Sequence, residues 1–404
     1  MSTNIFESAE KCLKWIERNM LTYNRGSWGV YERIRTNLNY RVSLCRPDTA
    51  SEYLRALYYY KSVYGINEYD DVYENIVKWL SYAQNENDGI TEHNTAFNFY
   101  FLDGSKDYQK GKQLYQNDNG KIILNLCILY EQTKDERLIE MAKKSADYWL
   151  SVQQKQGYYY DKQVIIGRVR SDTPCMILWM MTAMFALYSI TGNEDYKNSG
   201  YKAFNRMVKK YTLKDGRILS SYENNGSESW RPVSSENYIA LLCYALSYKF
   251  TKDKKFLKQI DFIKDFCLSL IDDCGAILNN TDSTVNCSMN TARNLCDLVY
   301  TQGFAINAFV ELYKVTGDKD WLIKGKKLSD FLISIQCFEN DLNVDGGWRG
   351  SYNVKSKRYE GRCDQNNPID EGGEYSLYVG WCALPIIFGM MKLDGLLKTT
   401  DIKV

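Results

Sequence analysis

The stretch Ile190-Thr191-Gly192-Asn193-Glu194-Asp195-Tyr196 decides the fold, because it recurs along the chain. Its relatives are VYGINEY at 63–69, QTKDERL at 132–138, FTKDKKF at 250–256 and VTGDKDW at 315–321. Aligned on Tyr64, Thr133, Thr191, Thr251 and Thr316, the copies stand 69, 58, 60 and 65 residues apart. A period of this size is the mark of a repeated supersecondary unit.

Each copy joins two helical patterns. Before it comes a strongly apolar run, as at 122–130, 176–190, 238–248 and 304–313. After it comes an amphipathic, lysine-rich run; in 136–150 the apolar residues Leu138, Ile139, Ala142, Ala146, Trp149 and Leu150 follow the 3.6-residue period. So short a connector makes the two helices antiparallel. Asp135, Asn193, Asp253 and Asp318 are suited to cap the second helix. A helix apolar all round must be covered all round, whereas a lysine-faced one covers a single side. The expected arrangement is an inner ring of apolar helices inside an outer ring of amphipathic ones. Five connectors give five hairpins. The sixth pairs an inner helix over 374–392, kinked at Pro385, with an outer helix over 6–19. The expectation is an all-α (α/α)6 toroid, one domain spanning 1–404, closed by its terminal helices. An open solenoid is the alternative, but solenoid repeats run shorter, about 34–47 residues.

Composition narrows the function. Lys plus Arg number 51 and Asp plus Glu 50, so the bulk charge carries no nucleic-acid footprint. Neither apolar stretch, 176–190 or 379–391, reaches the roughly 20 residues of a membrane span. The amino terminus lacks a basic-then-apolar signal segment, which makes the cytoplasm the expected location. Twelve cysteines form no CxxC pair, and His93 is the only histidine, so neither a metal nor a cofactor is expected. Walker, GxGxxG, HExxH and GxSxG patterns are absent. Tyrosine is abundant, with 33 copies, supplying rings that pack and hydroxyls that reach a cavity.

In such a toroid the long segments leading into the inner helices gather at one end, over helix N-termini that favour anions. Those segments are charged. They read Arg46-Pro47-Asp48-Thr49 with Glu52, Arg168-Val169-Arg170-Ser171-Asp172-Thr173, Trp230-Arg231 through Glu236, Arg293 with Asp297, and Asp370-Glu371 through Tyr375; the segment 115–120 is the odd one, with no arginine and only Asp118 charged. Trp28, Glu32 and Arg33 follow the first outer helix, and Trp348 and Arg349 the fifth. Taken singly, the acids could be helix caps and the arginines their partners. Recurrence of guanidinium, carboxylate and aromatic ring at one end instead suits a sugar, with an anionic, uronate-like unit favoured by the arginine forks. Asp172 and Glu236 open adjacent inner helices and form the expected acid/base pair of a glycoside hydrolase. Glu32, Arg33, Arg46, Asp48, Arg170, Arg231, Arg349, Asp370, Glu371, Tyr375 and the tryptophans Trp28, Trp230 and Trp348 are the expected substrate contacts. Two alternatives stand beside this. A uronate lyase would abstract a proton through a tyrosine such as Tyr31, Tyr238, Tyr375 or Tyr378, or through His93. A non-catalytic glycan-binding or scaffold toroid would lack facing acids.

The hairpin count, the Thr-Gly-Asn/Asp connectors at 191–193 and 316–318 and the Gly346-Gly347-Trp348 turn resemble the six-hairpin glycosidase group over essentially the whole chain. That resemblance implies an (α/α)6 barrel acting on carbohydrate, the group including glucanases, unsaturated glucuronyl hydrolases, uronate lyases and sugar epimerases. The histidine-dependent epimerases match poorly, since only His93 is present. In the glucuronyl hydrolases aspartates act; Asp172 could be similar in role, but the surrounding motif does not match closely enough to carry that role over. Prenyltransferases and terpene cyclases share the toroid, but their zinc ligands and DxDD signature are absent.

Overall fold

The computed structural model describes residues 4–23, 27–84, 95–98, 100–102, 108–110, 114–159, 173–224, 227–280, 292–361 and 373–400, without the side chains of 100–102, 108–110, 221–224, 227–231 and 292. Twelve helices carry the fold: α1 (Ile5–Met20), α2 (Pro47–Tyr64), α3 (Asp70–Ala83), α4 (Gln116–Thr133), α5 (Glu136–Ser151), α6 (Pro174–Thr191), α7 (Glu194–Arg206), α8 (Ser234–Thr251), α9 (Lys255–Ser269), α10 (Gly303–Thr316), α11 (Asp320–Ile335) and α12 (Leu384–Thr399). The even-numbered helices form the inner ring. Each packs on the next, α2 on α4, α4 on α6, α6 on α8, α8 on α10 and α10 on α12, and α12 returns to α2. The odd-numbered helices lie outside. α1 packs on α12, so the chain ends complete the sixth hairpin and the ring is a closed (α/α)6 toroid. That closure excludes the solenoid.

Burial follows the two patterns in the sequence. In α4 every residue from 118 to 129 is buried, and in α6 every residue from 176 to 187. In α5, Leu138, Ile139, Met141, Ala142, Ser145, Ala146, Tyr148 and Trp149 are buried while lysines and acids face out. Covering a large aliphatic side chain contributes about 1.5–3 kcal/mol, so the inner ring is where most folding energy resides.

The connectors share one geometry. In four of them the threonine hydroxyl donates back to the carbonyl four residues earlier (Thr133 to Leu129, Thr191 to Leu187, Thr251 to Ser247, Thr316 to Leu312), at 2.7–2.9 Å. The same oxygen accepts the backbone N–H two residues on, at 3.2 Å each time. The residue between is left-handed: Lys134 φ 58°, Gly192 71°, Lys252 57° and Gly317 73°. Glycine takes that conformation without strain, and lysine stands there in two copies. Asp135 and Asn193 cap α5 and α7 as expected; Asp253 and Asp318 make the same side-chain bond one residue before the caps of α9 and α11.

Two sequence expectations are corrected. The last inner helix begins at Leu384, not near 374, and Pro385 occupies its first turn, where a missing N–H costs nothing, so it produces no kink. The preceding residues are instead a strand, Ser376–Tyr378, paired antiparallel with Arg33–Arg35. Second, 379–399 is long and apolar enough to cross a membrane by length and composition, as is α6; both are largely buried in the ring core.

Among the described residues, short strands fringe one end only. The pairs are 33–35 with 376–378 and with 40–41, 44–45 with 100–102, 100–102 with 108–110, 219–224 with 227–232, 295–297 with 351–353, and 351–353 with 358–359. All lie in the segments that lead into inner helices. They fix that end over the N-termini of the inner ring.

Candidate active site

Three inner helices deliver the ionisable groups of this end. α2 supplies Asp48 and Glu52, one turn apart. α4 supplies Asp118 and Lys121. The strand Ser376–Tyr378 supplies Tyr378 and the turn after it Trp381, and the strand Arg33–Arg35 and the residue before it supply Arg33 and Glu32. All of them are buried. Arg46, just ahead of α2, ties the set together. Its Nε donates to Asp48 Oδ1 at 3.1 Å, its Nη1 to Glu32 Oε1 at 2.6 Å and to the Tyr378 hydroxyl at 2.7 Å, and its Nη2 to Asp118 Oδ2 at 2.8 Å. Lys121 Nζ lies 3.0 Å from Asp48 Oδ2 and 2.9 Å from Glu52 Oε1. Arg33 pairs with Glu32, whose Oε1 also accepts the Tyr378 hydroxyl. Three cations therefore face four carboxyls away from water, where ions are tolerated only when matched.

Trp381 sits at the centre. Its indole Nε1 donates to Asp48 Oδ2 at 2.6 Å and its backbone N–H to Glu52 Oε2 at 3.0 Å. Lys121 Nζ lies 3.5 Å from the ring centroid. Trp179, Tyr300 and Phe304 surround the ring at centroid distances of 6.3, 5.6 and 5.7 Å. The Trp381 backbone is left-handed, φ 63°, a conformation costing a bulky residue of order 1–3 kcal/mol and persisting only where the surroundings impose it. Those two carboxylate bonds impose it. The neighbouring Gly380 has no room for a side chain, since a Cβ there would stand 2.3 Å from Thr49 Oγ1 and 3.0 Å from Glu52 Oε2.

The carboxyls differ in proton affinity. Burial pushes Asp48 up, but the Arg46 and Lys121 charges and the Trp381 indole N–H more than offset it, and Asp48 is held below the usual carboxylate range. Burial dominates at Asp118. Arg46 opposes it and the Asp48 charge adds to it, so Asp118 lies well above its ordinary value. Glu52 is also raised by burial, against Lys121. Asp118 Oδ1 has no hydrogen-bond partner among the described residues. Carboxyls whose proton affinities are driven apart by their surroundings are the arrangement acid/base chemistry requires, and a carboxyl raised to about 7, as Asp118 is, can take a proton near neutral pH.

Glu236, in the first turn of α8, is the expected acid that the structure describes. It is 5% exposed, and burial pushes its pKa up to about 8 against the Ser220 hydroxyl, which stands 3.4 Å from Oε1. Its Oε2 has no hydrogen-bond partner among the described residues. Cys175, in the first turn of α6, links Glu236 to the cluster. Its thiol pKa is pushed far up by burial and then by Glu236, while Lys121 pulls the other way, so both charges act on it.

The remaining expected residues divide. Arg33, Glu32, Arg46 and Asp48 are brought together. Arg349 is engaged elsewhere, with Glu339 at 2.9 Å, the Glu374 carbonyl at 3.0 Å and Thr36 at 3.1 Å, and Tyr375 is exposed beside it. Trp28 packs on Tyr23 and accepts no role at the centre; its N–H bonds Asn75 of α3 in the outer layer. Trp348 is corrected outright: it is fully buried, with Nε1 bonded to the Leu332 carbonyl at 2.9 Å, leaving no face for a ligand. Trp230 and Arg231 lie on a described strand, opposite Ser221 and Ser220, but their side chains lie outside the description. Asp172, Arg170, Asp370, Glu371 and His93 lie outside the described residues. Arg46 is also corrected in kind. Its fork is spent on carboxylates of the protein, which removes it as a free clamp for a substrate anion.

Sequence reasoning missed Asp118, Lys121 and Trp381. Asp118 stands in the first turn of α4 as Asp48 does in α2, and Lys121 is a charge at the head of an apolar run; both signals were present in 115–121. Trp381 gave none, because the irregular turn that aims it reads as helix.

Comparison with solved structures finds the same toroid over nearly the whole chain. A glycoside hydrolase family 76 alpha-mannanase from Bacteroides thetaiotaomicron is similar at 15% identity and TM-score 0.69, covering 98% of this chain and 97% of its own. A sugar epimerase from a ruminal bacterium is similar at 13% identity and TM-score 0.72, covering 98% and 99%. An unsaturated glucuronyl hydrolase specific for heparin is similar at 14% identity and TM-score 0.66, covering 99% of each. At these identities the likeness is one of fold. No family model and no curated protein matches the chain in sequence.

Proposed function

We propose that the protein is a carbohydrate-active enzyme, a glycoside hydrolase that works by proton transfer between buried carboxyls at the N-terminal end of the inner ring. The supporting observation is that Asp118 and Glu236, in the first turns of two inner helices, each present one oxygen with no hydrogen-bond partner among the described residues. The names of the solved toroids, an alpha-mannanase, a sugar epimerase and a glucuronyl hydrolase, agree with a saccharide substrate.

In this reading Glu236 is protonated at neutral pH and gives its proton to the departing glycosidic oxygen as the C–O bond breaks. Asp118 takes the proton of the water that adds at the anomeric carbon. Asp48 stays ionised and, through Arg46 and Lys121, keeps Asp118 in place. Tyr300, the half-buried ring of the aromatic group, offers an apolar face for stacking. Arg33, Arg46 and Lys121 are all engaged by the protein's own carboxyls, which favours neutral sugars over the uronates that the arginine count suggested.

A second reading rests on Tyr378, whose hydroxyl lies 2.7 Å from the Arg46 guanidinium. A tyrosine beside a fixed cation could abstract the proton of an elimination.

The test is a glycan panel, neutral and uronate-containing, followed by Asp118→Asn, Glu236→Gln and Asp172→Asn on whichever substrate turns over. Loss in the first two with Asp172→Asn active supports the proposed pair. Full activity in Asp118→Asn with loss in Asp172→Asn transfers the second role to Asp172. Full activity in both Asp118→Asn and Glu236→Gln ends the proposal.

A further inference from the structure

Arg55 stands on α2 one turn beyond Glu52, deeper along the ring axis, and is 8% exposed. A guanidinium stays ionised at any physiological pH, and a buried ion normally has a counter-charge. Arg55 has none within ion-pair distance among the described residues. Its Nη1 donates to Asn125 Oδ1 at 2.9 Å, a neutral amide that itself donates to Ser51. Its guanidinium carbon lies 4.2 Å from the Phe388 ring centroid. Its Nε–H has no acceptor among the described residues.

The ionic groups around it make the imbalance worse. Lys314 and Lys392 both feel Arg55 as a repelling cation. The acid among them, Glu311, is already engaged by Lys392 at 2.7 Å and Lys314 at 3.3 Å. Glu52 is no help, since its oxygens are taken by Lys121 and the Trp381 N–H. Arg55 and the buried Lys392, which burial lowers to about 7, thus share one buried carboxylate, while the Lys314 side chain reaches solvent.

Beside Arg55 the ring encloses a cavity of about 10 Å³, its polar wall made by Glu52, Arg55, Lys121, Asn125, Asn307 and Lys392. This is space for one water-sized particle. A water would accept the Nε–H but leave the charge unmatched. A phosphate or carboxylate is too large.

We propose that this cavity is a halide site, holding one chloride ion against Arg55 and Lys392. The ion supplies the negative charge that the axis lacks and accepts the unpartnered Nε–H. The site is separate from the carboxyl pair and stands whether or not the hydrolase reading does.

Crystals soaked in sodium bromide test it through anomalous scattering. The expected result is one bromide peak on the ring axis in contact with Arg55; water density there with no anomalous signal overturns the proposal. In solution, thermal unfolding is compared in sodium chloride and sodium gluconate at equal ionic strength. The wild type is expected to melt several degrees higher in chloride, and Arg55→Met to lose that difference. Equal chloride dependence in both proteins, or none in the wild type, overturns it. Should Arg55→Met not fold, the bromide map of the wild type decides alone.

Discussion

Replacing Glu236 by Gln should make the protein more stable as the pH rises while removing its activity. The carboxyl is held at about 8 in the folded chain against an ordinary 4.5. A folded acid with a raised pKa binds its proton more tightly than the unfolded chain does, so its contribution is intact below 4.5 and is lost as pH climbs to 8. Each tenfold change in proton affinity is about 1.4 kcal/mol, which makes the loss below about 1 kcal/mol at pH 5, about 3 at pH 7 and about 5 at pH 9. Glutamine keeps the shape and escapes the loss. Denaturant unfolding of both proteins at the three pH values reads the difference directly. The gap should open steadily in favour of Glu236→Gln. Two parallel curves, with no widening from pH 5 to pH 9, would show that Glu236 ionises freely in the fold and would remove its role as proton donor.

Other consequences are as specific. Asp118→Asn should lower kcat by about 10²–10⁴, and the residual activity should lose the acid limb of the wild-type pH profile; circular dichroism should show the fold retained. Lys121→Met strips the cation from between Asp48 and Glu52, and breaking a buried pair costs about 3–5 kcal/mol, read as a fall in unfolding free energy at pH 7. Gly120→Ala drives a Cβ to 2.6 Å from the Met180 backbone nitrogen and should cost about 1–3 kcal/mol or more by forcing α4 from α6, measured in the same way.

The toroid was legible because its signals are local and repeated. The connector at 190–196 folds through its own threonine hydroxyl and left-handed residue, and all-round apolar runs such as 176–187 can only be inner helices. The site was half legible. Arg46, Asp48 and Glu236 stand where the helix starts put them, so their end of the ring followed from the pattern. Their partners did not, because a side chain's engagement depends on helices far apart in the chain: Arg46 is spent on Glu32 and Asp118, and Trp348, which resembles a sugar platform, fills the core. Trp381 was hidden by an irregular turn that two buried carboxylates hold against its own backbone preference.

The most direct test of the central claim is the summed mass of the two products formed from one saccharide. Proton transfer from Glu236 with addition of water predicts the mass of the substrate plus one water, with the reaction abolished in Glu236→Gln. Products that sum to the substrate alone, carrying a new absorbing double bond and formed equally well by Glu236→Gln, would contradict it.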